Sequence, residues 1–351
     1  MAQKVSVCII AKNEEKYIET CLQALQTFDV EIVVVDTGST DRTKEIAAKY
    51  TDSLYDFEWI GDFSAARNYA AKMAKHDYII MIDCDEFAER ISINEVCDYL
   101  KKNPNCLGCL VQKSLVSAGS GMAKFNENVG RIYDRRFVKY VNRIHEQLDT
   151  IDGRKGVYHV FDVSVMHMGY MLSKEDTYKK SMRNIELLEK QAEEMPNSAY
   201  TYFQLGQSYY VINEKEKAYE ARKKAMELNP PEKEEFTYLL LAGFARSALD
   251  AGDYSEALKI EKYYEHARVC ADYMFNLGQV YYANGKIEEA LKTFDLATKC
   301  IDCHADGMNT YFPYNAMALL YEKLGENEKA TEYKSMAEDA LRKSFNLNKP
   351  Q

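Results

Sequence analysis

The segment at residues 78–86 constrains the fold most, because five largely apolar residues run directly into Asp83-Cys84-Asp85-Glu86. Such a run predicts a strand buried on both faces, as in a parallel sheet. The carboxylates then lie where the strand leaves the sheet, which is where open α/β sheets bind ligands. On an extended chain Asp83 and Asp85 point to one side and Cys84 to the other. Two carboxylates on one side suit a hard divalent cation, although a solvated acidic turn gives the same short pattern.

Strands and helices alternate around this segment through the first part of the chain. Expected strands cover residues 4–10, 31–35 and 53–58, and expected helices cover residues 14–25 and 63–74. This alternation predicts a parallel sheet with right-handed crossovers. The acidic ends of two strands, Asp36 and Asp83, should then lie on the same edge of that sheet.

Composition limits the possible functions. A length of 351 residues favours two domains, and a net charge of −10 disfavours a nucleic-acid binder. We expect a cytoplasmic protein without a membrane span, since no apolar run approaches spanning length. Nine irregularly spaced cysteines fit reduced thiols in the cytosol. The segment Cys300-Ile301-Asp302-Cys303-His304 has the form of half a zinc site, but with no second Cys/His pair we expect a structural role.

Several motifs in order carry a resemblance to a known family. They are Val5-Ser6-Val7-Cys8-Ile9-Ile10-Ala11-Lys12-Asn13-Glu14-Glu15, Val33-Val34-Val35-Asp36-Thr37-Gly38-Ser39-Thr40-Asp41, Asp62-Phe63-Ser64-Ala65-Ala66-Arg67-Asn68 and Asp83-Cys84-Asp85-Glu86. Together they resemble glycosyltransferase family 2, nucleotide-sugar enzymes of the GT-A fold. Two further segments, at residues 142–146 and 165–170, resemble the branch that carries helical repeats. That branch includes bacterial enzymes that glycosylate peptides, and a related branch modifies lipopolysaccharide core.

The resemblance implies an inverting transferase that uses a divalent metal, Mn²⁺ or Mg²⁺, and a nucleoside diphosphate sugar, with a UDP-sugar expected. Within the family the first Asp of the acidic motif faces the ribose and the last holds the metal, which gives those roles to Asp83 and Asp85. Thr37 departs from the family's usual pair of acidic residues at the base-recognition position. The donor-binding positions implied are Ala11, Asn13, Glu14, Asp36, Thr37, Arg67 and Asp83. The alternatives are an exposed helix charge for Arg67 and helix capping for Asn13.

Inversion needs a base that takes the acceptor's proton as it attacks. We expect Glu146 in this role, because the strand-like run at residues 137–141 would carry it toward the sheet edge; Asp134 and Glu127 are the alternatives. His145 should point the other way on an extended chain and contact phosphate or acceptor. His167 follows an apolar stretch and is a third metal ligand, with Asp85 and Asp83, a diphosphate contact or a core histidine.

The second part of the chain repeats. Tyr202, Leu205, Gly206 and Tyr209, followed by Ala218 and Ala225, match the tetratricopeptide pattern, and Met274, Leu277, Gly278 and Tyr281, with Ala290, Phe294 and Ala297, form a second copy. A third copy begins near Tyr314, and a degenerate copy lies around Ala245. We expect an α/β GT-A domain at residues 1–172, a connecting helix at 173–195 and an all-α tetratricopeptide-like domain at 196–351.

The combined interpretation is a glycosyltransferase whose repeats hold a peptide or protein acceptor or form a homodimer. Two alternatives stand beside it. One is a transferase acting on a glycan or lipopolysaccharide-type acceptor. The other is a non-catalytic scaffold in which a decayed transferase domain serves the repeats. The sequence leaves the sugar, the nucleotide and the acceptor atom open.

Overall fold

The computed structural model describes residues 5–118, 121–167, 174–303 and 305–347. The predictions for residues 168–170 and for His304 lie outside these ranges. The chain divides into two compact units between Asp176 and Thr177. Among the described residues, no helix combines the length and the apolar content that crossing a membrane requires.

The first unit begins with the predicted alternation of strands and helices. Its parallel strands are β1 (Val5–Ala11), β2 (Glu31–Asp36), β3 (Leu54–Asp56) and β4 (Tyr78–Met81), and its helices are α1 (Ile18–Leu25), α2 (Thr43–Ala47) and α3 (Phe63–Met73). The valine- and isoleucine-rich strands are buried almost throughout, as expected for strands covered on both faces. Alanines favour α3, and the carboxylate of Asp62 caps it by accepting the Ala65 N–H at 2.8 Å.

The rest of this unit makes the sheet mixed. It adds β5 (Glu86–Ile91), α4 (Ile93–Lys102), β6 (Cys106–Ala118), β7 (Gly121–Asp134), β8 (Val138–Val141), β9 (Gln147–Thr150) and β10 (Val157–His167). The eight-stranded sheet has the order β3-β2-β1-β4-β7-β6-β10-β5, while β8 and β9 form a separate pair. The four predicted strands are parallel, as expected, but the complete sheet is mixed because the β6–β7 hairpin inserts β7 antiparallel to both β4 and β6.

Strand register places the acidic residues. Ala11 pairs with Asp36, and the Ile82 N–H donates to the Cys8 carbonyl. Asp36 and Asp83 therefore follow strands that end at one edge of the sheet, called here the carboxyl edge, as predicted. Asp134 instead pairs with Tyr78, the first residue of β4, and so lies at the opposite edge, roughly 16 Å of strand from Asp83.

The second unit consists of helices. They are α5 (Lys174–Glu194, which starts just before the division), α6 (Ala199–Val211), α7 (Lys215–Glu227), α8 (Glu235–Asp250), α9 (Tyr254–Ala257), a 3₁₀ helix (Leu258–Tyr263), α10 (Tyr264–Ala267), α11 (Ala271–Ala283), α12 (Ile287–Ala297), α13 (Tyr311–Lys323) and α14 (Asn327–Leu347). The three clear repeat copies coincide with the contacting pairs α6–α7, α11–α12 and α13–α14. In the degenerate copy the second helix is broken into short pieces.

Candidate active site at the carboxyl edge

The loops after β1 and β2 are joined by hydrogen bonds. Thr37 donates its backbone N–H and its hydroxyl to the Ala11 carbonyl, at 2.8 and 3.1 Å. Asn13 has a positive φ of 56° and accepts the Thr40 N–H at 2.8 Å on its side-chain oxygen. Helix α1 starts only at Ile18, so the expected helix start at Glu14 is wrong. Asn13 therefore does not cap a helix; with Thr37 it holds the two loops together.

Asp36 lies between these loops and is 2% exposed. Its Oδ1 accepts the N–H groups of Gly38 and Ser39, at 3.0 and 2.9 Å. Gly38 has φ +101°, a backbone region that favours glycine. The Oδ2 atom is buried and has no hydrogen-bond partner among the described residues. A buried acceptor left without a partner costs free energy, so Asp36 presents an atom that a ligand N–H could satisfy.

Asp83 is held by two arginines. Arg67 donates to its Oδ1 at 2.8 Å, and Arg131 donates to Oδ2 at 2.6 Å and to Oδ1 at 3.2 Å. Burial alone would raise the pKa of Asp83, but the charges of Arg131 and Arg67 outweigh it and hold that pKa well below its usual range. Both carboxylate oxygens accept hydrogen bonds from these two guanidiniums, and the role of Asp83 as a metal ligand stays a prediction.

Sequence reasoning did not identify Arg131. Gly108 pairs with Ile132, but the next residue of β6, Cys109, pairs with Gly130. Arg131 is therefore the extra residue of a β-bulge, a feature that re-aims a side chain next to active sites. A bulge depends on how two strands pair. The sequence alone therefore shows only an arginine within a strand-like segment and does not indicate that Arg131 reaches the site.

Arg67 connects the acidic motif to Glu146. It is 5% exposed, which makes the alternative of an exposed helix charge wrong. Its Nε donates to Glu146 Oε1 at 2.6 Å, and its remaining nitrogen is buried without a hydrogen-bond partner among the described residues. We call Glu146, Arg67, Asp83 and Arg131 the arginine–carboxylate network. The network brings the predicted Glu146 to the carboxyl edge, beside the acidic motif.

The other residues considered for the base lie elsewhere. Asp134 is fully buried at the opposite edge and pairs with Arg136 at 2.7 Å, so it cannot reach the site. Glu127 is exposed on β7 and pairs with Gln112 of β6. His145 has φ 51°, so the chain is not extended there and the expected alternation between His145 and Glu146 does not apply.

Asp85 and His167 form a second pair. The His167 Nε2 lies 3.1 Å from Asp85 Oδ2, and Ser114 Oγ lies 3.4 Å from Nδ1. Burial alone would lower the pKa of His167, but its hydrogen bond with Asp85 raises that pKa above the usual value. His167 is 8% exposed in its side chain and Asp85 32%, so the carboxylate remains accessible beside the buried imidazole.

A metal ion would find only part of its coordination here. No group of three or more His, Cys, Asp or Glu side chains among the described residues is arranged to hold one. Asp85 and His167 nevertheless offer an oxygen and a nitrogen at about the separation of two adjacent ligands on one ion. Magnesium sites often use one or two protein ligands and take the rest from substrate phosphates and water. Asp85 offers such an oxygen ligand, whereas the imidazole of His167 is a softer ligand than magnesium prefers.

Two other acidic side chains surround the motif. Glu86 is 1% exposed and accepts the Asp83 N–H at 2.8 Å and the Gln112 amide, which fixes the turn. Glu14 is partly buried, and burial, followed by the charges of Asp85, Asp41 and Asp83, raises its pKa to about 7. Glu14 thus lies near the charges of the acidic motif, and its role in donor binding stays a prediction.

The first unit is a GT-A-like mixed sheet with a charged site at its carboxyl edge, and tetratricopeptide-like helices follow it. Residues 6–166 match the family model described as Glycosyl transferase family 2. The first unit is therefore similar to glycosyltransferase family 2 domains over residues 6–166.

Curated relatives agree with both parts. The SPbeta prophage-derived glycosyltransferase SunS of Bacillus subtilis is 25% identical over 221 residues, which cover 62% of this chain and 52% of the relative. An uncharacterized glycosyltransferase of Rickettsia bellii is 26% identical over 196 residues, covering 54% and 63%. A TPR repeat-containing protein of Synechococcus elongatus is 43% identical over 86 residues, covering 24% and 21%. The chain thus spans about half the length of the glycosyltransferase relatives and less of the repeat protein.

Solved structures of helical-repeat proteins are also similar. MamA has a TM-score of 0.41 at 20% identity, covering 51% of this chain and 99% of MamA. YrrB, described as a TPR protein with an unusual peptide-binding site, has a TM-score of 0.39 at 19% identity, covering 46% and 78%.

Proposed function

We propose that this protein is an inverting glycosyltransferase that moves a sugar from a nucleoside diphosphate sugar, a UDP-sugar, to a peptide or protein in the cytoplasm. The observation that carries the proposal is the convergence of Asp36, the arginine–carboxylate network and the Asp85–His167 pair at the carboxyl edge of a domain similar to family 2. Each of these groups suits a different part of such a donor.

The donor would be held from base to diphosphate. The buried Oδ2 of Asp36 would accept an N–H of the nucleobase, a contact that would satisfy an atom now left without a partner. Asp83, fixed by Arg67 and Arg131, would face the ribose. Asp85 and His167 would hold Mn²⁺ or Mg²⁺, which would neutralise the charge that develops on the leaving diphosphate.

Glu146 would act as the base. Arg67 already holds its Oε1, so the proton from the acceptor hydroxyl or thiol would pass to Oε2 as the acceptor attacks the sugar from the face opposite the leaving group. His145, the neighbouring residue, would contact phosphate or acceptor. The proposed base and the proposed donor-binding carboxylate, Asp83, are thus held in fixed relation by one guanidinium.

The helices of the second unit would bind the acceptor or a second copy of the chain. Stacked helix pairs build extended surfaces that suit peptides and proteins. In the described part of the chain, all residues assigned to the reaction lie in the first unit, before α5. The helical unit is therefore the part left to select what receives the sugar.

The test is donor binding and turnover in the full chain. We expect calorimetry to show binding of one nucleotide sugar, from a panel that varies base and sugar, only with Mn²⁺ or Mg²⁺ present. Asp85→Asn should abolish this metal-dependent donor binding and turnover, while the fold stays intact because Asp85 is accessible. Asp29→Asn, an exposed change in the loop before β2, is the matched control. Normal turnover with chelator, or by the Asp85→Asn variant, would contradict the metal role.

A further inference from the structure

Two repeat copies fill the same structural position with different chemistry. Gly206 and Gly278 are equivalent glycines of the repeat, and 16 residues after each comes Arg222 or Phe294. A Cβ on Gly206 would lie 2.7 Å from Arg222 Cγ, and a Cβ on Gly278 would lie 2.5 Å from a Phe294 ring carbon. Each side chain therefore packs against its glycine. The repeat accepts a phenylalanine here, yet the first copy has an arginine.

Arg222 is 3% exposed, and its hydrogen-bond partners among the described residues are neutral. One terminal nitrogen donates to Ser247 Oγ at 2.6 Å and to the Gly243 carbonyl at 3.2 Å, and the other donates to Gln207 Oε1 at 2.7 Å. Its Nε is buried and has no hydrogen-bond partner among the described residues. Burial lowers the pKa of Arg222 to about 10, with only a small opposing effect from Tyr210.

This arrangement is costly for the folded protein. A buried cation is stabilised when a carboxylate pairs with it, and neutral acceptors replace that pairing only in part. Gly243 adds a second glycine inside a helix, where a Cβ would lie 3.1 Å from Nε and 3.2 Å from Cζ of Arg222. Since Phe294 shows an apolar solution for the same position, packing alone does not account for the charge.

The guanidinium lies close to the surface at one edge. Gln207 is partly exposed, and Tyr210, whose ring centroid is 4.8 Å from Cζ of Arg222, is 49% exposed. Both are on α6. Nε and one terminal nitrogen of a guanidinium form a fork that fits the two oxygens of a carboxylate. A carboxylate that displaced the Gln207 amide would give Nε a partner and replace a neutral acceptor by an anion.

We propose that Arg222 anchors a binding site for a peptide carboxylate on the helical unit, entered past Gln207 and Tyr210. A peptide is favoured as the source because apolar side chains are exposed on the two helices beside it, Val211 at 57% on α6 and Leu239 at 40% on α8, one turn before Gly243. This site would give the helices a specific means of binding an acceptor. That its partner is the acceptor peptide rests on the proposed function.

The experiment measures equilibrium binding by the full chain without donor, so it does not depend on glycosyl transfer. The probes are two labelled decapeptides, alternating Leu–Glu and Leu–Gln. We expect the wild type to bind the glutamate peptide about tenfold or more tightly, the difference that one charge-assisted pair supplies. Arg222→Phe should lose that preference. Asp85→Asn should keep it, which separates a failure of this site from a failure of transfer.

A second variant keeps the test valid if Arg222→Phe does not fold. Gln207→Glu places a carboxylate at the position of the displaced amide, so it should raise the melting temperature and abolish the preference for the glutamate peptide. Equal binding of both peptides by the wild type, or an unchanged preference in Gln207→Glu, would overturn the proposal. The proposal would also be overturned if tripolyphosphate raised the wild-type melting temperature and the glutamate peptide did not, because the site would then bind phosphate.

Discussion

The two units bury arginines in opposite ways. In the sheet-containing unit Arg67 and Arg131 share the carboxylate of Asp83, and Glu146 holds Arg67 from the other side. In the helical unit Arg222 has only neutral partners among the described residues. The first set of charges is balanced inside the protein and can orient a substrate without moving. The second is balanced only if an anion comes from outside, which is what a binding site for a partner requires.

The largest expected effect on the balanced charges of the sheet-containing unit comes from changing Asp83. Asp83→Asn would leave two buried guanidiniums without their shared carboxylate, and loss of one partner of a buried ion pair costs about 3–5 kcal/mol. We expect about 3 kcal/mol, since Asp83 is 32% exposed in its side chain. Chemical denaturation measures this loss, and transfer should fall with it.

The matched control for Asp83→Asn is Asp152→Asn. Asp152 pairs with Arg154 at 2.6 Å, but both side chains are about half exposed. Exposed pairs of this kind contribute little to stability because water screens their charges. If both variants lost the same small amount of stability, the network at the carboxyl edge would not be the buried, balanced cluster described here.

A second change separates the two roles of Glu146. Glu146→Gln keeps an oxygen that can accept from Arg67 Nε, so the network should stay in place while the base is lost. We expect the chemical step to slow roughly 100-fold, with donor affinity by calorimetry unchanged. Glu127→Gln should have normal rates.

Two results would reassign Glu146. Weaker donor binding in Glu146→Gln, with an unchanged chemical step, would make Glu146 a positioning residue for Arg67. A slow step in Glu127→Gln and a normal one in Glu146→Gln would move the base to Glu127.

The sequence was sufficient for features that depend on local pattern. Apolar runs predicted β1, β2 and β4, and their shared direction placed Asp36 and Asp83 on one edge. The spacing of Gly206 and Gly278 located two helix pairs. Arg131 was missed because a bulge depends on how β6 and β7 pair, and the mixed sheet was missed because a hairpin can insert between strands that are distant in sequence.

Burial and backbone conformation were the other properties that local pattern did not reveal. From the sequence alone, an exposed helix charge remains an alternative for Arg67. The structure excludes it, because Arg67 is buried against Glu146, 79 residues later. His145 adopts a positive φ that alternation cannot anticipate. Arg222 fits the spacing of the repeat, but the neutral partners Gly243 and Ser247 lie on α8, which belongs to the next copy.

The smallest expected effect concerns Glu14, a partly buried carboxyl group close to the charges of Asp85, Asp41 and Asp83. Its pKa rises from an ordinary value near 4.5 to about 7. At low pH Glu14 is neutral in both folded and unfolded states. As pH rises from about 4.5 to 7 the unfolded state loses the proton first, so folding becomes less favourable, and above 7 the penalty is constant.

Glu14→Gln removes this penalty. With chelator present, we expect it to stabilise the protein by about 1 kcal/mol at pH 8, after allowance for solvent screening, and by little at pH 4.5. Glu15→Gln, at the exposed neighbouring position, should show no such pH-dependent gain. If Glu14→Gln stabilised the protein equally at both pH values, charge would not be the cause, and Glu14 would not lie in the field of Asp85 and Asp83.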